Sequence, residues 1–334
     1  MLLSFFRKSQ TTTITAAILV LAAIWLSTFL SKTTYPYIFD SINMPLYQLV
    51  AKYLTPDNIY SKVITLVLIL AIAIYLQQLN GRFIIIKQRT YLPALFFFLV
   101  SSALTPVQRL NPAVFASLFI TIAIDHIFAI YQKVNPLDNI FRAGIALGIA
   151  SLFYAPAIPI LLILFIGLTI LRTFSLREWF VSLLGIAIPW GVLLLTYYWF
   201  KVDFVSTINL VSNNLTTKTE SSIDDLIPII FTVAIGIPTI VAWLHMIPSM
   251  ASQKISIRKY QSILIWLLMI SLSVFLLIPT CSYEISYILA IPLSYQLSQY
   301  FSVIKDKFWP ELLFSLIFLA AIAVQIYPYL IRFI

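Results

Sequence analysis

The sequence predicts an all-α, polytopic membrane protein, and three observations carry that reading. Only 10% of the 334 residues are charged while 61% are apolar, with a mean hydropathy of +0.99. A soluble domain carries about 25% charge, so this chain lacks the groups to cover a water-facing surface. The charges sit in short clusters between apolar runs of roughly 17 to 22 residues, the length that crosses about 30 Å of hydrocarbon. Such runs must be helical, because lipid offers backbone N–H and C=O groups no partners. The basic residues, finally, are divided unevenly between alternate connections.

Eleven spans are expected, over about 13–31, 61–79, 91–105, 112–131, 140–155, 157–172, 179–200, 226–248, 261–280, 284–303 and 311–330. The pair 140–155 and 157–172 is separated by "YAPAIP", where the prolines either end a span or bend it. The first run, "TITAAILVLAAIWLSTFL", is too long for a cleaved signal, and no small-residue cleavage site follows it. With the N-terminus cytoplasmic, 14 of the 21 Lys and Arg fall on the cytoplasmic side. The other 7 are matched by 7 acids, so the whole net charge of +9 sits on one face. This is the positive-inside bias of a multi-pass protein of a bacterial inner (cytoplasmic) membrane. Membrane lipid headgroups account for it, and it gives no reason to invoke nucleic acid. The chain reads as one transmembrane domain, 1–334, with no soluble domain, short-period repeat or low-complexity linker.

The cytoplasmic connections are short, whereas two outer segments, 32–60 and 201–225, are long enough to carry function. In "PYIFDSINMPLYQLVAKYL", residues Met44, Leu46, Tyr47, Val50, Ala51 and Leu54 fall at helical spacing. That pattern predicts an interfacial amphipathic helix from about Met44 to Tyr53, with Leu46 and Val50 toward the core. The second segment opens with a similar piece, Phe204, Val205, Ile208, Leu210 and Val211, and continues as a tract rich in Ser, Thr and Asn. Seven glycines in 334 residues give little sign of glycine-mediated close packing of helices.

Chemistry-bearing motifs are sparse. There is no phosphate-cradling glycine loop, no Ser-x-x-Lys pair, and no His/Cys cluster with metal spacing, so no metal and no cofactor are expected. His126 and His245 read as packing or interfacial groups, and the single cysteine, Cys281, as a spectator thiol with no internal disulfide partner. Asp40 stands apart. It follows the first span and precedes the amphipathic helix that would roof it. "IFDSIN" sets it between apolar groups, where partial desolvation raises basicity. It is either a solvated loop acid or a general base that takes the proton of an attacking hydroxyl.

The order of these features resembles the polytopic glycosyltransferases that use polyprenyl-phosphate sugars, the GT-C superfamily. In "FDSINMPLYQLVAKYL" an acid at the start of the first outer loop is followed by a helix. "RLNPAVFASLFITIAI" is similar to the segment before the fourth span, and "FRAGIALGIASLFYAPAIPIL" to a glycine-paired span entry. "LREWFVSLLGIAIPWGVLLLTYYWF" resembles the seventh span, and "FVSTINLVSNN" the outer segment after it. The resemblance covers about 13–215. It implies a GT-C-like arrangement of the first seven helices within a module at 13–225, and a C-terminal set of helices at 226–334. The pattern departs from the superfamily at three places. Asp40 is followed by Ser41 rather than a second acid, Asn111 stands where an acid precedes the fourth span, and Phe153-Tyr154 stands where a lysine is usual. A similar arrangement, with Tyr-x-Pro, Arg-Glu-Trp and Gly…Pro in order, also resembles an uncharacterised bacterial multi-pass family.

If the resemblance holds, the donor is a polyprenyl-phosphate sugar used at the outer face, and Asp40 is the base. Arg109 is then the best phosphate contact, since a guanidinium grips phosphate through two hydrogen bonds. Lys52, Lys62 and Lys201 are further cations on that side, with interfacial snorkelling as their other reading. Asn111 either binds the donor or caps the helix that starts at Pro112. Tyr154, at the position of the usual lysine, completes the substrate-binding set. The alternative class is a non-catalytic membrane scaffold, or a subunit of an envelope or lipid-handling complex with membrane-protein partners.

Overall fold

A computed structural model describes residues 2–7, 11–30, 42–56, 58–88, 90–201, 204–217, 226–250, 252–304 and 308–330. The described residues form helices and no strand. Among the described residues fourteen α-helices follow one another: α1 Leu2–Phe6, α2 Thr11–Leu30, α3 Pro45–Ala51, α4 Ile59–Phe83, α5 Leu92–Ser102, α6 Pro112–Phe128, α7 Leu137–Phe153, α8 Leu162–Leu171, α9 Leu176–Trp199, α10 Phe204–Thr216, α11 Leu226–Met250, α12 Ile255–Leu277, α13 Ser286–Val303 and α14 Phe308–Leu330. Single 3-10 turns lie at Thr105–Val107, Ala155–Ala157, Pro159–Leu161 and Tyr283–Ile285.

Every expected span holds a helix, but their lengths divide them. Among the described residues, six stretches are long and apolar enough to cross a membrane: Thr12–Phe29, Ile59–Phe83, Leu176–Trp199, Pro228–Met246, Ile255–Leu277 and Phe308–Ile326. The expected span 91–105 is an α-helix of only 11 residues, about 16 Å at 1.5 Å per residue. The "YAPAIP" stretch ends α7 rather than bending it. Tyr154 is extended (φ −139°, ψ 111°), and the chain passes through two 3-10 turns before α8 begins.

Local chemistry explains the boundaries. Asn111 caps α6, its side-chain oxygen accepting from the Val114 N–H at 3.1 Å, with Pro112 at the first helical position. Its side-chain N–H donates to Val107 and Arg109 carbonyls, so both ends of the amide are engaged. Arg7 donates to the carbonyls of Phe301 (2.6 Å) and Ile304 (3.0 Å), capping the C-terminal end of α13, where a cation also meets the negative end of the helix dipole. The helix expected near Met44 is α3. Its buried side is made by Met44, Pro45 and Tyr47, while Leu46 and Val50 are half-buried. Tyr47 takes the core position because its ring is buried while its hydroxyl reaches the Leu110 carbonyl at 3.0 Å.

The core is built around α13, which is buried along nearly its whole length. Phe301 stacks on Phe96 of α5 at 5.3 Å between ring centroids, and Phe314 of α14 meets both edge-on. One expectation fails outright: glycine does mediate close packing. A Cβ on Gly144 of α7 would lie 2.9 Å from the Gly185 Cα of α9. A Cβ on Gly185 would lie 2.7 Å from the Phe141 carbonyl oxygen, and one on Gly148 2.9 Å from that of Ile186. Two backbones therefore touch where the sequence reads Gly-x-x-x-Gly and Gly-x-x-x-Pro, and the Trp190 N–H of α9 closes the seam on Ser151 at 2.9 Å. The low total hid a local concentration.

The bundle has two ends. One gathers Arg82 on Asp125 (2.7 Å), with the Tyr75 hydroxyl on the same carboxylate oxygen, and Arg172 paired with Glu178 at 3.0 Å. The other gathers α3, the turn before α6, the end of α7, α10 and the turn before α13.

Candidate functional site

At the α3 end a small pocket is lined by Ile42, Met44, Pro112, Tyr154, Asn214 and Glu284, among others. Its chemistry comes from three elements remote in sequence. The proline-rich break after α7 sets Tyr154 in an extended conformation. The turn between α12 and α13 supplies Thr280, Cys281, Ser282 and Glu284. Helix α10 supplies Asn214, whose amide N–H is held by the Leu210 carbonyl at 3.0 Å.

Glu284 is the centre of this cluster. It is buried, at 2% exposure, in the turn that precedes α13. Its Oε1 accepts from the Tyr154 hydroxyl and from the Ser282 backbone N–H, both at 3.0 Å. Its Oε2 is buried without a hydrogen-bond partner among the described residues, as are the hydroxyls of Thr280 and Ser282. Burial pushes the carboxyl above its ordinary range, against the opposing pull of the Ser282 and Tyr154 hydrogen bonds. Burial likewise pushes the Cys281 thiol up, and its sulfur lies 3.4 Å from the Tyr154 oxygen. The second carboxyl oxygen and the Thr280 hydroxyl give the pocket buried polar atoms that can meet a polar group. The pocket holds about 20 Å³, room for one water.

On the opposite side of the same turn lies a larger, apolar groove of about 410 Å³. Phe231, Ile235 and Trp243 of α11, Leu268 and Phe275 of α12, and Leu289 of α13 form its walls. Tyr283, Ile285 and Ser286 close it where the turn alternates faces, while Glu284 points the other way into the polar pocket.

The residues singled out from sequence divide. Tyr154 lies in the pocket, hydrogen-bonded to Glu284. Pro112, next to Asn111, lines it, and Asn111 itself is the cap of α6. Arg109 is buried in the turn before that cap, at 6% exposure. Lys52 is exposed beside the Tyr53 ring, and Lys201 is exposed in a left-handed conformation (φ 55°); neither lines the pocket. Lys62 donates to the Thr28 carbonyl at 2.6 Å, close to the end of α2. Asp40 lies outside the described residues. Sequence reasoning gave Glu284 no role. The available signal was an acid held in "TCSYEIS", a short connection between two apolar runs.

Fold and site together define a polytopic, all-helical membrane protein with a polar pocket and an apolar groove sharing one turn. The chain belongs to DUF6427, a family of unknown function, whose model matches residues 37–333. No curated protein and no solved structure matches it.

Proposed function

We propose that this protein is a membrane glycosyltransferase-like protein that takes a polyprenyl-phosphate sugar at the outer face of a bacterial inner membrane. On this reading it has about eleven passes, a cytoplasmic N-terminus and a GT-C-like arrangement of its first seven helices. One observation carries the reading: an apolar groove of about 410 Å³ ends on the turn that bears the buried acid Glu284. A lipid carrier needs that pairing, a dry slot for its chain beside a polar place for its head. The first loop closes over the same pocket through Ile42 and Met44, two and four residues after Asp40. In the transfer, an acceptor hydroxyl oxygen bonds to the anomeric carbon and its proton passes to the Asp40 carboxylate. The bond from that carbon to the phosphate oxygen breaks, and polyprenyl phosphate leaves. Arg109 is the proposed phosphate contact.

The small size of the polar pocket favours a second reading, a non-catalytic scaffold that keeps the architecture. Complementation of a deletion strain, with protein level checked by blot, separates the two. Asp40→Asn should insert normally and lose about 10² to 10⁴ in activity, the usual contribution of a general base. Full rescue by Asp40→Asn at normal expression overturns the catalytic reading. Binding is tested separately by the shift in Tm that purified protein shows with polyprenyl phosphate in detergent. Ile235→Trp, which fills the groove, should abolish that shift.

A further inference from the structure

Helix α13 is buried on all sides yet carries Ser294, Gln296, Ser298, Gln299 and Ser302. We propose that Gln261 of α12 and Gln296 and Gln299 of α13 form a binding site for a single internal water. The three side chains are 4%, 3% and 5% exposed, and with Ile85, Met246, Leu264 and Tyr295 they line a cavity of about 10 Å³, one water in size. Four of their polar atoms have no hydrogen-bond partner among the described residues: both Gln261 atoms, Nε2 and Oε1, together with Gln296 Nε2 and Gln299 Oε1.

The balance of these atoms identifies the ligand. The indole N–H of Trp243 can only donate, and it lies 2.5 Å from Gln296 Oε1. That contact fixes the Gln296 amide with its Nε2 as the unpartnered atom. The set is therefore two N–H donors and two carbonyl acceptors, which matches the two acceptor and two donor capacities of water. A monovalent cation would suit the two carbonyl oxygens but would face the N–H dipoles of Gln261 and Gln296. An unsatisfied amide in a buried interior is costly, and one water removes the cost for three helix-borne amides at once. The site lies away from the Glu284 pocket and does not depend on the proposed function.

The sign of a stability change tests it. With water bound, Gln299→Leu or Gln261→Leu breaks a satisfied network and lowers Tm by several degrees. In a dry cavity the same change removes an unsatisfied group and raises Tm. Radiolytic hydroxyl labelling of the wild-type protein is independent of how the variants fold. Bound water at the cavity should modify the lining residues Tyr295 and Met246, which are 1% and 4% exposed. Raised Tm in the variants, unlabelled Tyr295 and Met246, or a Tm that follows sodium or potassium at fixed ionic strength would each overturn the water site.

Discussion

Glu284 gives up its contact with water on folding, and the hydrogen bonds from the Ser282 and Glu284 backbone N–H groups and the Tyr154 hydroxyl do not offset that loss, so burial decides its titration. The consequence for stability has a definite sign. Below the ordinary value of 4.5, folded and unfolded chains both hold the proton, and stability is greatest. As pH rises past that value the unfolded chain releases its proton while the folded chain keeps it. Stability falls until pH passes the raised folded value. Glu284→Gln cannot titrate, so as pH rises past 4.5 its Tm should gain on the wild type. Parallel Tm curves for the two proteins would refute a raised carboxyl. Asn111 makes a contrasting case. Its cap of α6 predicts that Asn111→Ala lowers stability by about 0.5–2 kcal/mol, and that Asn111→Asp lowers it too, because Asp keeps the capping oxygen but cannot donate to the Val107 and Arg109 carbonyls. A substrate amide would instead be disabled by Asp at unchanged stability. The cap was legible in the sequence because capping is local, an Asn followed directly by Pro. The role of Glu284 was not, because its partner Tyr154 is 130 residues away in the chain.

Among the elements, the packing of α7 against α9 makes the sharpest demand on sequence. The atoms that would meet a new Cβ at Gly144 or Gly185 are backbone, which cannot rotate away. Gly144→Ala and Gly185→Ala should each cost about 1–3 kcal/mol, the usual penalty of overpacking. Gly191→Ala and Gly236→Ala, where nothing lies within 4 Å of the new Cβ, are the controls, and helix propensity makes them neutral or slightly favourable. Thermal unfolding in detergent by fluorescence-detected size exclusion reads the difference. Equal Tm values for all four would show that the two helices do not meet at these glycines. Most elements were legible because apolar runs and proline breaks act locally. The seam between α7 and α9 was not, because the informative quantity was the spacing of Gly144, Gly148 and Gly185 rather than the number of glycines. In the first outer segment the helical period placed α3 and its inward side, where Met44 and Tyr47 are buried while Leu46 and Val50 are half-buried. Tyr47, rather than Leu46 or Val50, takes the deepest position because its hydroxyl has a carbonyl to reach.

For the whole molecule, the open quantity is how the bundle sits in the membrane, and charge makes a specific demand. The end with the Arg82–Asp125 and Arg172–Glu178 pairs also receives most of the 14 basic residues assigned to the cytoplasmic face. The end with α3 belongs to the charge-balanced side. Lys and Arg in short connections resist translocation, so the basic end should remain in the cytoplasm and the α3 end should face out. Tyr53 and Val134 report the two ends, being 79% and 99% exposed. Native Cys281, at 8% exposure, is a weak target and is removed as Cys281→Ala. In that background, Tyr53→Cys should react with a membrane-impermeant maleimide in intact cells, and Val134→Cys only after permeabilisation. The reverse pattern would place the Glu284 pocket on the cytoplasmic side. A carrier sugar presented at the outer face could not reach it there, and the glycosyltransferase reading would fall with the orientation. Labelling of both sites in intact cells would instead break the proposed topology, in which α4, α5 and α6 each cross the membrane between Tyr53 and Val134 and so put them on opposite sides.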